Sequence, residues 1–153
     1  MKQALSKRDS ARLRRAEDQG ISRSVRERLF TKWNQQEENN MPYIHVQTNL
    51  PVSDTEQELL KTRLGQAIEA IPGKSEQWLM VRVEPECALW MAGTDEPAAM
   101  VNVAVYGGAP ASAYDALTAR ICELLDGILS LDPARIYVCY AETPNWGWNG
   151  GNF

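Results

Sequence analysis

One histidine, His45, and three cysteines, Cys87, Cys122 and Cys139, are the chain's only imidazole and thiol groups. They are scattered, whereas a structural zinc site takes four such ligands, usually grouped at short spacings. No metal is therefore expected. An odd number of cysteines at long spacings speaks against a disulfide framework and for a reducing compartment. Four other positions could do chemistry. Lys74 directly follows Gly73 at the end of a helical pattern; its ammonium either sits in water near the helix C-terminus or serves a site as a fixed cation. Tyr137 alternates with Cys139 in a β-favouring run, so it is either a packed strand residue or an oriented phenol. Trp148 lies in a tail rich in glycine and asparagine, a poor place for core filler and a better one for a pocket or an interface. Pro42 opens a strand, and taken alone it reads as an ordinary edge-strand proline. Cys122 and Cys139 read as small hydrophobes. His45 packs or faces solvent on its strand and is given no role.

The elements that must position these residues come in two similar halves. Residues 43–50 form a β-favouring run closed by Pro51. Ser53, with Glu56 three residues later, makes a capping box. Leu60, Leu64, Ile68 and Ile71 then recur at helical spacing until Pro72-Gly73 stops the helix. Residues 78–83 make the next strand. The order then repeats: a strand over residues 100–106 ends at Gly107-Gly108, and a helix starts near Pro110 and Ser112. Its apolar stripe is Tyr114, Leu117, Ile121, Leu124 and Ile128. After Asp132-Pro133, residues 135–140 form a last strand. Two tandem β-α-β units give an α+β (α/β) fold with a four-stranded mixed sheet and both helices on one face. Val101, Val103 and Val105 alternate with Met100, Ala104 and Tyr106, so the sheet reads as apolar on both faces. A second copy of the chain is expected to cover the face the helices leave open.

The chain has 153 residues, 44% hydrophobic and 24% charged, the composition of one globular domain. It has no apolar run of spanning length and no N-terminal h-region, so neither a membrane span nor a signal peptide is expected. The net charge of −4 hides an asymmetry. Residues 1–40 hold ten Lys and Arg against six Asp and Glu, and residues 41–153 hold six against fourteen. Two segments follow: a basic, partly helical extension over 1–40, and an acidic domain over 41–153. In the extension, Ile21, Val25, Leu29 and Trp33 recur every fourth residue between arginines, the pattern of a basic amphipathic helix. The acidity of the domain argues against nucleic acid as a partner.

Several short features of residues 42–153 occur in a specific order: Pro42 directly after Met41, Asn49-Leu50-Pro51, Gly73-Lys74, Glu96-Pro97, Arg135-Ile136-Tyr137, and the Gly147-Trp148-Asn149 tail. In this the chain resembles the macrophage migration inhibitory factor branch of the tautomerases. The resemblance implies a homotrimer whose three sheets form a central barrel. It implies an isomerase of the phenylpyruvate tautomerase or L-dopachrome isomerase type, acting on small aromatic keto acids without a cofactor. Pro42 becomes the general base, Lys74 the cation that holds a substrate carboxylate, and Tyr137 a residue lent by the neighbouring subunit. Tyr43, Tyr106, Trp78, Trp148 and Phe153 become substrate contacts. Cys139, Tyr106 and Trp146 depart from residues common in the family, which implies a reshaped pocket. A Cys-x-x-Cys motif carried by the animal proteins is replaced by residues 98–101, so no thiol redox activity is expected. The family also includes a leaderless secreted cytokine, so the alternative is a non-enzymatic interaction protein. Cytoplasmic residence, with leaderless secretion as a variant, fits both.

A basic proline needs a free amine, and in this sequence Pro42 is internal. Three readings follow. Translation starts at Met41, a reading supported by the purine-rich codons available to Gln36-Glu37-Glu38 as a bacterial ribosome-binding sequence; or residues 1–40 are cleaved; or they are retained and block the base.

Overall fold

The structure, a computed structural model, describes residues 7–29 and 41–152. Trp33, Gln36-Glu37-Glu38 and Phe153 lie outside these. The chain divides into two compact units, Met1–Glu38 and Asn39–Phe153.

The described residues of the first unit form two helices, α1 (Lys7–Asp18) and α2 (residues 23–29). Gly20 ends α1 with φ +72°. The Ile21 amide reaches back to the Ala16 carbonyl and the Gly20 amide to that of Glu17, a Schellman cap that needs a residue tolerant of positive φ. The series Ile21, Val25 and Leu29 places Val25 and Leu29 on α2, as the periodicity implies, while Ile21 lies just ahead of it in the link from α1. Gly20 separates the two helices.

The second unit carries β1 (Pro42–Thr48), α3 (Asp54–Ala67), β2 (Met80–Glu84), β3 (Ala99–Tyr106), α4 (Ala111–Leu129) and β4 (Ile136–Thr143), then a small hairpin of β5 (Gly147–Trp148) and β6 (Gly151–Asn152). The sheet order is β2-β1-β3-β4. β1 and β2 are parallel, β3 and β4 are parallel, and the two halves meet antiparallel between β1 and β3. This is the tandem β-α-β arrangement read from the sequence.

Ser53 caps α3 as expected. Its hydroxyl accepts from the Glu56 amide, and the Glu56 carboxylate accepts from the Ser53 amide. Leu60 and Leu64 of α3 join Leu117, Ile121 and Leu125 of α4 over Ile44, Val46, Val101 and Val103 of the sheet. Both helices therefore cover one face, and the hydrophobic effect at that face supplies the main drive to fold.

Some details differ from the sequence pattern. Trp78 belongs to a 3-10 turn, Glu76–Trp78, ahead of β2 rather than to the strand. On α4 the buried line is Ala113, Leu117, Ile121, Leu125 and Leu129, with Tyr114, Leu124 and Ile128 packed beside it. The stripe was placed one flank too far round because leucines occupy both flanks. β4 continues through Thr143, well past Tyr140.

The second face of the sheet is less apolar than β3 alone implied. Register brings His45, Arg82, Asn102 and Cys139 into one cross-strand row, and Glu84, Gln47, Met100 and Tyr137 into the next. Only the row of Met80, Tyr43, Ala104 and Ala141 is without formal charge or strongly polar groups. His45 is not idle there: its Nε2 donates to Glu84 Oε2 at 2.8 Å, and Arg82 approaches the same oxygen at 3.3 Å. The hydrogen bond from His45, helped by the Arg82 charge, holds the Glu84 carboxyl below the usual carboxylate value.

Candidate active site

Pro42 starts β1 and is paired with Val105 at the far end of β3. It is buried on the helix-covered side of the sheet. The Tyr106 amide donates to the Met41 carbonyl at 3.1 Å, so the strand pairing extends one residue beyond Pro42 and brings Tyr106 beside the start of β1. The carbonyl of that same Tyr106 accepts from Lys74 Nζ at 2.9 Å. Three of the residues singled out in the sequence thus meet at one end of the sheet.

The chain reaches this point by a turn that requires glycine. After the short 3-10 turn Ile68–Ala70, Gly73 takes φ +79°, a conformation costly for any residue with a Cβ. The turn sends Lys74 back over the sheet end, and its amide donates to the Ile71 carbonyl. Lys74 is only 6% exposed. Burial disfavours a charged amine, and it pushes the Lys74 ammonium below the ordinary lysine value. The reading of Lys74 as a solvated charge near a helix end is therefore set aside. Just beyond it, Glu76 lies across α3 at Gly65, where a Cβ would come within 2.6 Å of its side chain. Glycine at position 65 lets the segment that follows Lys74 lie close to the helix.

The aromatic residues form a second group. Trp78 and Trp148 stand edge to face, with ring centroids 5.3 Å apart and planes at 89°, a favoured aromatic geometry. Trp148 belongs to the β5–β6 hairpin, and 51% of it remains exposed. The hairpin makes a local fold of the tail, and the two tryptophans present a wall toward solvent. Trp146 is partly buried just ahead of it. Tyr43 lies on the open sheet face, next in sequence to Pro42 but pointing the other way, with its ring 6.1 Å from that of His45.

Tyr137 and Cys139 are not brought to this end within one chain. Glu142 is the β4 residue in register with Val105 and so lies in the same cross-strand row as Pro42. Tyr137 precedes it by five positions, about 16 Å along a strand at about 3.3 Å per residue. It is 62% exposed, on the open face beside Met100. Among the described residues no group of three or more His, Cys, Asp or Glu is placed to hold a metal, and no helix is long and apolar enough to cross a membrane.

Sequence reasoning missed two sets of organising residues. Asn49 gathers the long β2–β3 connection: its amide donates to the carbonyls of Leu89, Asp95 and Glu96, and its side-chain oxygen accepts from the Ala98 amide at 3.0 Å. Arg135 holds the same loop from the other side through the carbonyls of Glu96 and Pro97. In the sequence both stand only within the short patterns Asn49-Leu50-Pro51 and Arg135-Ile136-Tyr137. The second set, Tyr114 and Glu142, was not singled out for this role; the one visible signal was the Gly107-Gly108 pair that ends β3.

A family model described as macrophage migration inhibitory factor matches residues 41–153. The macrophage migration inhibitory factor of Meriones unguiculatus is 34% identical over 118 residues, covering 74% of this chain and 99% of that protein. That of Mus musculus is 32% identical over the same length and shares. Among solved structures, Leishmania major MIF2 superimposes with a TM-score of 0.70 at 28% identity, over 74% of this chain and 98% of that one. The Toxoplasma gondii macrophage migration inhibitory factor gives a TM-score of 0.68 at 20% identity, over 72% and 99%.

Proposed function

Since this chain belongs to the macrophage migration inhibitory factor family, we propose that residues 41–153 form a keto–enol tautomerase with Pro42 as general base, active when Pro42 carries a free amine. The observation that carries the reading is the buried Lys74 ammonium, bonded to the Tyr106 carbonyl beside the start of β1. A cation there offers a carboxylate a charge-assisted hydrogen bond. It also disfavours a second positive charge nearby, so a proline amine beside it loses its proton more readily than a free α-amine, whose ordinary pKa is about 7.7–8.0. A base poised near neutral pH is suited to proton transfer.

The step is a balanced proton shift. The Pro42 amine removes a proton from the carbon next to the keto group of an arylpyruvate-like acid, the C–H electrons form the C=C bond, and the resulting Pro42 ammonium returns that proton to the carbonyl oxygen, which leaves the amine free again. Lys74 holds the acid's carboxylate. The Trp78–Trp148 wall accommodates the aryl ring, with Tyr43, Tyr106, Trp146 and Phe153 as further contacts. Tyr137 and Cys139 come from a neighbouring subunit. A homotrimer supplies that geometry and covers the open sheet face.

A second reading rests on its own observation. Within the present sequence Pro42 nitrogen is a tertiary amide, which has no basic lone pair. Met41 is 4% exposed and its carbonyl is tied to the Tyr106 amide, so the Met41–Pro42 bond is built into the sheet. A chain that keeps residues 1–41 is an interaction protein on the same scaffold.

The test compares the full chain with one translated from Met41, whose removal before Pro42 leaves a free amine. Enol–keto conversion of phenylpyruvate is followed by ultraviolet absorbance. Activity confined to the shorter chain, and lowered about 10²–10⁴-fold by Pro42→Gly, supports the enzyme. A shorter chain as silent as the full one leaves the interaction reading.

A further inference from the structure

We infer that Glu142 and Tyr114 form a clamp on the loop after β3, and that they are positioning residues for Lys74, acting through the Tyr106 carbonyl. The inference rests on the proposed role of Lys74 in substrate binding, but the clamp itself is a matter of geometry.

β3 ends at Tyr106, and the next four residues must turn the chain from the end of this interior strand to the start of α4. Gly107 takes φ +77°, and its amide donates to the Thr143 carbonyl at 3.0 Å. Gly108 is glycine for a different reason: a Cβ there would lie 2.8 Å from Glu142 Oε1. The carboxylate thus rests directly against the loop backbone. Its Oε1 accepts from the Tyr114 hydroxyl at 2.6 Å and from the Ala109 amide at 3.3 Å. The Ala109 amide is shared, since it also donates to the Tyr114 oxygen at 3.1 Å. One amide, one phenol and one carboxylate close a three-membered network around the loop.

The network is anchored from behind. The Tyr114 ring lies 4.5 Å from that of Tyr140. The Tyr140 hydroxyl donates to the Tyr114 carbonyl at 3.0 Å and lies 2.8 Å from the Thr118 hydroxyl. Tyr114 is therefore fixed on the first turns of α4, and Glu142 on β4. The loop between them has its amide nitrogens held at Gly107 and at Ala109. Burial and the adjacent Glu142 push the Tyr114 phenol up to about 12, so it remains a donor throughout the neutral range.

The consequence runs in the other direction along the chain. Tyr106 is the last β3 residue before the clamped loop, and its carbonyl takes the Lys74 ammonium. A carbonyl at a strand end frays unless the chain beyond it is held. The clamp holds it, so this acceptor of the Lys74 ammonium keeps its place. Glu142 does this by accepting hydrogen bonds, not by its charge.

The experiment reads Lys74 directly in the full chain, by NMR titration of the ε-carbon in lysine-labelled protein, alongside amide exchange at Ala109. The variants are Glu142→Ala, Glu142→Gln and Tyr114→Phe. Glu142→Ala and Tyr114→Phe are expected to speed Ala109 exchange about fivefold or more, the size of one lost hydrogen bond, and to move the Lys74 titration toward that of free lysine. Glu142→Gln keeps an oxygen acceptor and is expected to restore both. An unmoved Lys74 signal in Glu142→Ala and Tyr114→Phe overturns the inference. So does a Glu142→Gln protein that behaves like Glu142→Ala, because the charge would then be acting instead. If Glu142→Ala does not fold, Tyr114→Phe retains the ring stack with Tyr140 and carries the test. Neither readout depends on turnover, so a failure of the enzyme reading and a failure of the clamp are distinguishable. In a chain with free Pro42, Glu142→Ala and Tyr114→Phe should raise KM for phenylpyruvate severalfold while leaving kcat nearly unchanged, and Glu142→Gln should leave both near the wild-type values.

Discussion

Lys74 donates its ammonium to the Tyr106 carbonyl at 2.9 Å while only 6% of it remains exposed. The bond joins the segment after α3 to the end of β3, two points 32 residues apart in sequence. Because burial lowers its pKa, Lys74 should lose its proton at a lower pH than a lysine in water, which titrates near 10.4. In a chain with free Pro42, KM for phenylpyruvate should therefore begin to rise on the alkaline side before that value, and Lys74→Arg should move the rise upward. A KM flat up to the ordinary lysine range would mean that Lys74 does not hold the carboxylate.

The tyrosines of the β3–α4 region set a pH limit on stability. Tyr114 has its pKa raised to about 12 by burial and by Glu142, and burial raises Tyr140 as well. A folded-state value above the unfolded one means that the folded chain holds its proton more tightly. The stabilisation is complete below about pH 10 and disappears as the pH rises toward 12. Lys74 has the opposite sign: its contribution is present above the unfolded value and is lost as the pH falls through the folded one. Urea unfolding between pH 9 and 12 should show a steep loss for the native chain and a shallower one for Tyr114→Phe.

Asn49 is the polar centre of the β2–β3 connection. Asn49→Ala strands the Ala98 amide and removes a donor shared by three carbonyls. The expected loss is about 1–3 kcal/mol, read as a lower urea midpoint with an unchanged slope. Ser53→Ala, which breaks the α3 capping box, should cost about 1 kcal/mol. A ranking in which Ser53→Ala is the more severe would contradict the structure.

Tyr137 is exposed and lies about 16 Å along β4 from the row of Pro42. If a neighbouring subunit supplies it, two dead proteins can repair each other. Lys74→Ala and Tyr137→Ala chains with free Pro42, unfolded together and refolded at equal amounts, should recover about a quarter of the wild-type sites for a cyclic trimer with sites between subunits. No recovery, with mixed assemblies confirmed by mass, would place the whole site within one chain.

Much of this fold was legible because the local signals agreed with one another. Ser53 and Glu56 announced a helix start, Pro72-Gly73 its stop, and the apolar run from Met100 to Tyr106 a strand. The repeat of the pattern then left few topologies. The α4 stripe was misplaced because periodicity locates an apolar arc and not its centre, and both Leu124 and Leu125 lie within that arc. The open face was read as more apolar than it is, because a single strand does not reveal its neighbours. His45 gained a partner only when β2 placed Glu84 within reach.

The sequence by itself determined the elements, their order and the one face the helices cover, since apolar spacing, capping and glycine stops act within a few residues of each other. It also carried the ordered series of short features by which the family was recognised. Tertiary structure decided which groups meet. Lys74 and Tyr106 are joined by a turn at Gly73 and a strand end, Trp78 and Trp148 by a terminal hairpin, and Glu142 reaches Ala109 and Tyr114 across the parallel pairing of β3 with β4. Those contacts depend on register and on chain reversals between distant segments, which local composition does not encode. The same register that brings Pro42 and Lys74 to one end of the sheet leaves Tyr137 at the other.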